Sequence, residues 1–180
     1  TQWGGAFAPA PTATPNPTTV ATPSPEPSPS PLPSAQFSAR VQGVTVPAPG
    51  AALVLVPLGK EEFINTDTQT ALSLAAYAFI KGEDAAKSTI YVVVDGDGVQ
   101  DVYATRPSDL KPSEQYTADY GSNLDKTCFT AAINMSDYPD GSYQLGVLVV
   151  NGERVEYMQG GDGFAFALRD GVISRGDDAA

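Results

Sequence analysis

The sequence predicts an antiparallel all-β sandwich behind an extended proline-rich segment. Three observations carry that prediction. Short runs rich in β-branched and aromatic residues recur at spacings of about ten residues. Turn chemistry separates them, at Asp95-Gly96-Asp97-Gly98, Pro139-Asp140-Gly141, Asn151-Gly152 and Asp170-Gly171. No stretch carries the long helical pattern that a parallel sheet needs between its strands.

Residues 1–34 stand apart. Ten of the 16 prolines lie between Pro9 and Pro33, alternating with Thr, Ser and Ala, and Glu26 is the one charge among them. Too little apolar surface exists there to offset the entropy of ordering, so a disordered, extended stalk is expected. At roughly 3.1 Å per residue it could hold a domain up to about 100 Å from an anchor. Thr and Ser beside proline permit O-glycosylation. Docking to an SH3-like partner is disfavoured, since no Arg or Lys flanks a PxxP core. The chain starts at Thr1 rather than Met, and Trp3 suits a membrane interface, so a fragment cut after a signal or membrane helix is expected. Residues 35–175 are expected to form the sandwich, with about 8–9 strands, and residues 176–180 to fray.

Gln36 to Val46 alternates and reads as the first strand, ended by Pro47-Ala48-Pro49-Gly50. Ala51 to Val56 is a short apolar strand, and Leu58 to Asp67 reads as a connection. Thr70 to Ile80 (TALSLAAYAFI) has enough alanine for a helix. Its near-alternation, with Leu72, Leu74, Ala76, Ala78 and Ile80 on one face, favours a strand among strands. Ser88 to Asp95 is β-branched and central, and Gln100 to Thr105 returns from it. Pro107 to Asp125 is a long polar excursion. Thr127 to Met135, Phe164 to Leu168, and Val172-Ile173 complete the set with the hairpin of residues 142–157.

That hairpin poses a register choice. Tyr143, Leu145, Val147 and Val149 share a face. A two-residue loop at Asn151-Gly152 sets Val149 opposite Arg154 and Val147 opposite Glu156, apolar against charged. A three-residue loop, Val150-Asn151-Gly152, sets Val149 opposite Glu153, Val147 opposite Val155 and Leu145 opposite Tyr157. Register follows the buried face, so the longer loop is expected, with Gly152 left-handed at a bulge.

Composition excludes several functions. Net charge is -11, with 21 acidic and 10 basic residues, so nucleic acid and anionic membrane surfaces make poor partners. There is no histidine, which removes His-based acid–base chemistry and the Ser-His and Cys-His nucleophile arrangements. The single cysteine, Cys128, forms no internal disulfide and reads as a buried structural thiol. No apolar run reaches the roughly 18 residues of a membrane helix. Neither a phosphate-cradling loop, a GxSxG elbow nor an HExxH motif occurs. No pair of acids is singled out for glycoside hydrolysis. A non-enzyme is expected.

Asp95, Asp97 and Asp101 come closest to a metal site, for calcium, since alternate Asp residues around a glycine turn bring several oxygens together. Against this, the glycine spacing departs from an EF-hand loop, the twelfth position is Arg106, and Asp-Gly is ordinary turn chemistry. Tyr116 and Tyr120, in the polar excursion beside Asp119, Asn123 and Asp125, are candidates for stacking on a glycan. Tyr91, Tyr103, Tyr143 and Tyr157 lie in strands and read as core or cross-strand partners. Asn134-Met135-Ser136 is a glycosylation sequon.

The run SYQLGVLVV behind Pro139-Asp140-Gly141 resembles the G-x-Y strand of immunoglobulin-like and fibronectin type III-like sandwiches. There a tyrosine hydroxyl ties a strand corner to the backbone; Tyr143 is the matching position. IYVVVDGDG, VYATRPSD and CFTAAINMSDYPDGSYQLGVLV also look similar to small sandwich domains of bacterial envelope proteins, which often follow a membrane helix and a Pro/Thr/Ser linker. The likeness covers about residues 70–158 and departs from antibody domains in lacking a cysteine pair and a core tryptophan. It implies the fold more than any function. Taken with the stalk and the absence of a catalytic motif, a non-catalytic, extracytoplasmic module is expected, membrane-anchored or at the cell surface, that contacts a protein or acts as a spacer. A carbohydrate-binding module and an accessory domain of a membrane-embedded enzyme, such as a glycosyltransferase, are the other expectations.

Overall fold

The computed structural model describes residues 4–5, 32–33, 36–58, 61–96, 98–108, 118–119, 124, 127–160 and 164–175. Among them are twelve strands: β1 (Arg40–Val41), β2 (Leu53–Pro57), β3 (Glu62–Asn65), β4 (Thr70–Ile80), β5 (Thr89–Gly96), β6 (Val99–Ala104), β7 (Arg106–Pro107), β8 (Cys128–Asn134), β9 (Gly141–Asn151), β10 (Arg154–Gln159), β11 (Ala165–Arg169) and β12 (Val172–Arg175). The count exceeds the expected eight or nine because β1, β3 and β7 are short edge pieces.

Two antiparallel sheets result. The seven-stranded sheet runs β1-β6-β5-β9-β11-β12, with β10 also on β9. The five-stranded sheet runs β2-β4-β8-β7, with β3 also on β4. The inner faces meet in one apolar core. Leu72, Leu74, Ala76, Ala78 and Ile80 of β4 pack there with Val92, Val94, Leu145, Val147, Phe129, Ile133, Phe166 and Leu168. The alternation of TALSLAAYAFI is thus a strand's, and the face read from it is the buried one.

Both outer faces are partly covered. Val93, Val102, Leu148 and Tyr157 form a second apolar cluster on the outside of the seven-stranded sheet, roofed by Val41, Val44, Val46 and Tyr91. On the outside of the other sheet, Phe79 packs with Ala85, Leu124 and Val54.

This double burial corrects the hairpin register. The loop has two residues, Gly152 and Glu153, and Asn151 pairs with Arg154. Tyr157 lies opposite Leu148, Met158 opposite Val147 and Glu156 opposite Val149. Gly152 is left-handed (φ 64°) while Glu153 is not, which is the pattern of a type II′ turn. A hairpin with one apolar face would take the longer loop. In fact Leu148 and Tyr157 share a buried outer face, while Val147 and Met158 turn inward.

Two further expectations change. Gln36 to Val46 is not one strand: Gly43 adopts φ 78°, only Arg40–Val41 pairs, and Val44 and Val46 lie over the outer cluster. The stretch read as a connection, Leu58 to Asp67, contains β3, whose Ile64 is buried beside Ala71.

Residues 36–50 form a belt around one side of the sandwich. Ser38 N–H donates to the Ala132 carbonyl on β8 (2.7 Å), and Ala39 accepts from Ala104 N–H on β6 (2.9 Å). The chain thereby steps from one sheet to the other, and Gly50 N–H then reaches the Tyr157 carbonyl (2.9 Å). On the opposite side, the Asn65 carboxamide donates to the Ile173 carbonyl (3.0 Å) and accepts from its N–H (2.9 Å). Arg175 pairs with Glu61 at 2.6 Å beside it.

Candidate functional site

The densest polar constellation sits where the belt crosses between the sheets. β1 pairs with β6, placing Arg40 directly across from Tyr103. The Arg40 guanidinium reaches Asp101 Oδ2 at 3.1 Å and donates to the Tyr103 and Tyr138 hydroxyls, each at 3.3 Å. Tyr138 donates to Asp101 Oδ2 at 2.6 Å, which leaves the Tyr103 hydroxyl to donate to Tyr138. The guanidinium also lies 5.8 Å and 5.9 Å from the two ring centres, within cation–π range.

The aromatic chain continues inward. Tyr138 meets Tyr143 edge-on (5.7 Å), and Tyr143 stacks on Phe166 (5.6 Å). The Tyr143 hydroxyl donates to the Pro139 carbonyl at 2.6 Å, the corner expected from the sequence. Burial and then the bond to Asp101 push the Tyr138 phenol well above its ordinary ionisation range. The hydrogen bond to Tyr103 holds Arg40 more firmly charged than a free guanidinium. The members bond one another, so the cluster fastens the belt to the sheet.

Of the residues expected to hold calcium, the described ones are Asp95 and Asp101. Asp95 pairs with Gln100 and Val94 with Asp101, so the two carboxylates point to opposite faces of the sheet. Asp95 accepts from Gln159 (3.3 Å) and Gln100 (3.5 Å) on the outer face, while Asp101 is held by Arg40 and Tyr138. Asp97 lies outside the described residues, and no group of three His, Cys, Asp or Glu suited to a metal occurs among those described. Tyr116 and Tyr120 also lie outside the described residues. Tyr103, Tyr143 and Tyr157 are buried in the strands as expected. Cys128 is buried with a free thiol.

Two concave surfaces stand out among the described residues. One, of about 400 Å³, lies on the outer face of the five-stranded sheet; Ser73, Ala75, Thr130 and Ala132 form its floor. The other, of about 490 Å³, opens near the start of β5 and is lined by Thr89, Tyr91, Thr105 and Cys128 among others. Sequence reasoning missed the Arg40 cluster. Asp101 attracted attention as an acid in a turn, but its partner Arg40 comes from a distant segment whose register with β6 no local pattern specifies.

No family model matches the chain, and neither a curated protein nor a solved structure does.

Proposed function

We propose that the chain is a non-catalytic, extracytoplasmic module of the immunoglobulin-like kind, held off a membrane or cell wall by residues 1–34, for protein contact or spacing. The order β2-β4-β8 in one sheet facing β6-β5-β9-β10 in the other, with a tyrosine corner at Tyr143, supports the immunoglobulin-like assignment. The observation that carries the tethering is the belt. The proline-rich sequence runs straight into a segment that bonds to both sheets and is clasped by Arg40, Asp101, Tyr103 and Tyr138. Tension on the N-terminal side would load this clasp before it reached the core. The acidic surface suits a solvent-exposed module and disfavours contact with anionic lipid.

Protease treatment of intact source cells tests this reading. The full-length protein should be cut in residues 1–34 from outside, releasing the sandwich as one resistant fragment. Protection in intact cells, with cleavage only after lysis, would refute an extracytoplasmic module.

A further inference from the structure

The belt roofs the apolar part of the seven-stranded sheet's outer face. Toward the β5–β6 turn the same face becomes polar. Gln100, Asp95 and Gln144 stand side by side on β6, β5 and β9, and Gln159 of β10 reaches over to Asp95. All are exposed or half-buried. Neighbouring strands lie about 4.8 Å apart, so the row spans about 10 Å. Tyr157 points into this patch from below. Its ring lies over Gly146, where an added Cβ would be 2.7 Å from the hydroxyl oxygen, and Gly146 shares the outer face with Gln144. The hydroxyl is buried and has no hydrogen-bond partner among the described residues. Burial first, and then the Asp95 carboxylate, keep its proton in place, so a donor is held beneath the patch.

We propose that this patch binds a neutral saccharide through its hydroxyl groups. Each saccharide hydroxyl both donates and accepts a hydrogen bond. The patch supplies both functions: a carboxylate that accepts, carboxamides that do either, and the phenol below. Other ligands fit less well. One carboxylate among neutral carboxamides makes a weak cage for a cation, and its charge repels anions. Burying the carboxamides unpaired would penalise an apolar ligand. β5 and β9 are interior strands, so an extended peptide finds no backbone edge to pair with. The inference goes beyond the tethered-module reading, which stands if no saccharide binds.

Probing an array of uncharged hexose and N-acetylhexosamine oligosaccharides with the full chain, in excess chelator, tests the proposal. At least one oligosaccharide should be retained, and titration with it gives a Kd. Asp95→Asn should weaken binding about tenfold or more, and Gln144→Ala and Tyr157→Phe about three- to tenfold each. Core amides such as Val92 should stay dispersed in all three variants. Tyr157→Phe should leave the urea midpoint unchanged or raise it, because the hydroxyl it removes has no partner among the described residues. An array without signal would overturn the proposal. Retention that appears only with added calcium would also overturn it, by assigning the patch to a cation. Binding that survives the three substitutions would lie elsewhere on the chain. A lower Tyr157→Phe midpoint with unaltered affinity would make the hydroxyl structural. Either of these results overturns it too.

Discussion

Tyr138 shows how one side chain couples the belt to the core. Its hydroxyl bonds Asp101 and Tyr103, while its ring edge meets Tyr143. Burial, the Asp101 bond and the Tyr103 bond all raise its ionisation range in the folded state. An unfolded tyrosine loses its proton near pH 10, approximately. The native phenol therefore keeps a proton that the unfolded one releases. The resulting stability is complete below about pH 10 and drains away as pH rises toward the folded value. Tyr157, raised chiefly by burial and then by Asp95, contributes in the same direction. The urea midpoint should fall steeply above about pH 10, and less steeply in Tyr138→Phe. Parallel pH profiles for the two proteins would contradict this. At this scale the sequence was unevenly legible. The Tyr143 corner was readable because its acceptor, Pro139, is four residues away. The Arg40–Asp101 pair was not, because it depends on where a distant segment docks.

Among the elements, the β9–β10 hairpin is fixed by one close approach. Its observed register lays the Tyr157 ring over Gly146, where an added Cβ would lie 2.5 Å from Tyr157 Cε2 and 2.9 Å from the Met158 carbonyl oxygen. Glycine is needed here for close approach, not for its dihedral freedom. Gly146→Ala should cost about 1–3 kcal/mol by overpacking, read as a lower urea midpoint. In a Tyr157→Leu background the cost should shrink but persist, because the Met158 carbonyl remains. Costs that simply add would argue that Tyr157 does not cover Gly146. The strands themselves were legible from alternation and turn chemistry, as Thr70–Ile80 and the Asp170-Gly171 turn show. Register was not, because both faces of β9 are apolar, and alternation alone cannot say which valines look inward. The first segment misled for a related reason. Val44 and Val46 repeat like a strand, yet they serve as a lid on the outer cluster.

Taken as a whole, the described residues form a sandwich closed on one side by the belt and on the other by side-chain bonds between edge strands. The belt ties β8 to β6 on one side; Asn65 and the Arg175–Glu61 pair tie β3 to β12 on the other. Closure of this kind restricts pairing with foreign strands at those edges. It also makes residues 36–50 part of the folded domain rather than the end of a linker. Composition revealed the proline-rich segment clearly, while the belt that follows it is held by long-range bonds that a sequence does not display. Amide hydrogen exchange of the full chain tests this integration most directly. The Ala104, Ala132 and Gly50 amides all bond within or to the belt, at 2.9, 3.1 and 2.9 Å. They should exchange only with global unfolding, at the rate set by core amides such as Val92. Exchange of these three through a much cheaper local opening, with Val92 still protected, would show the belt to be a loose strap and contradict the account.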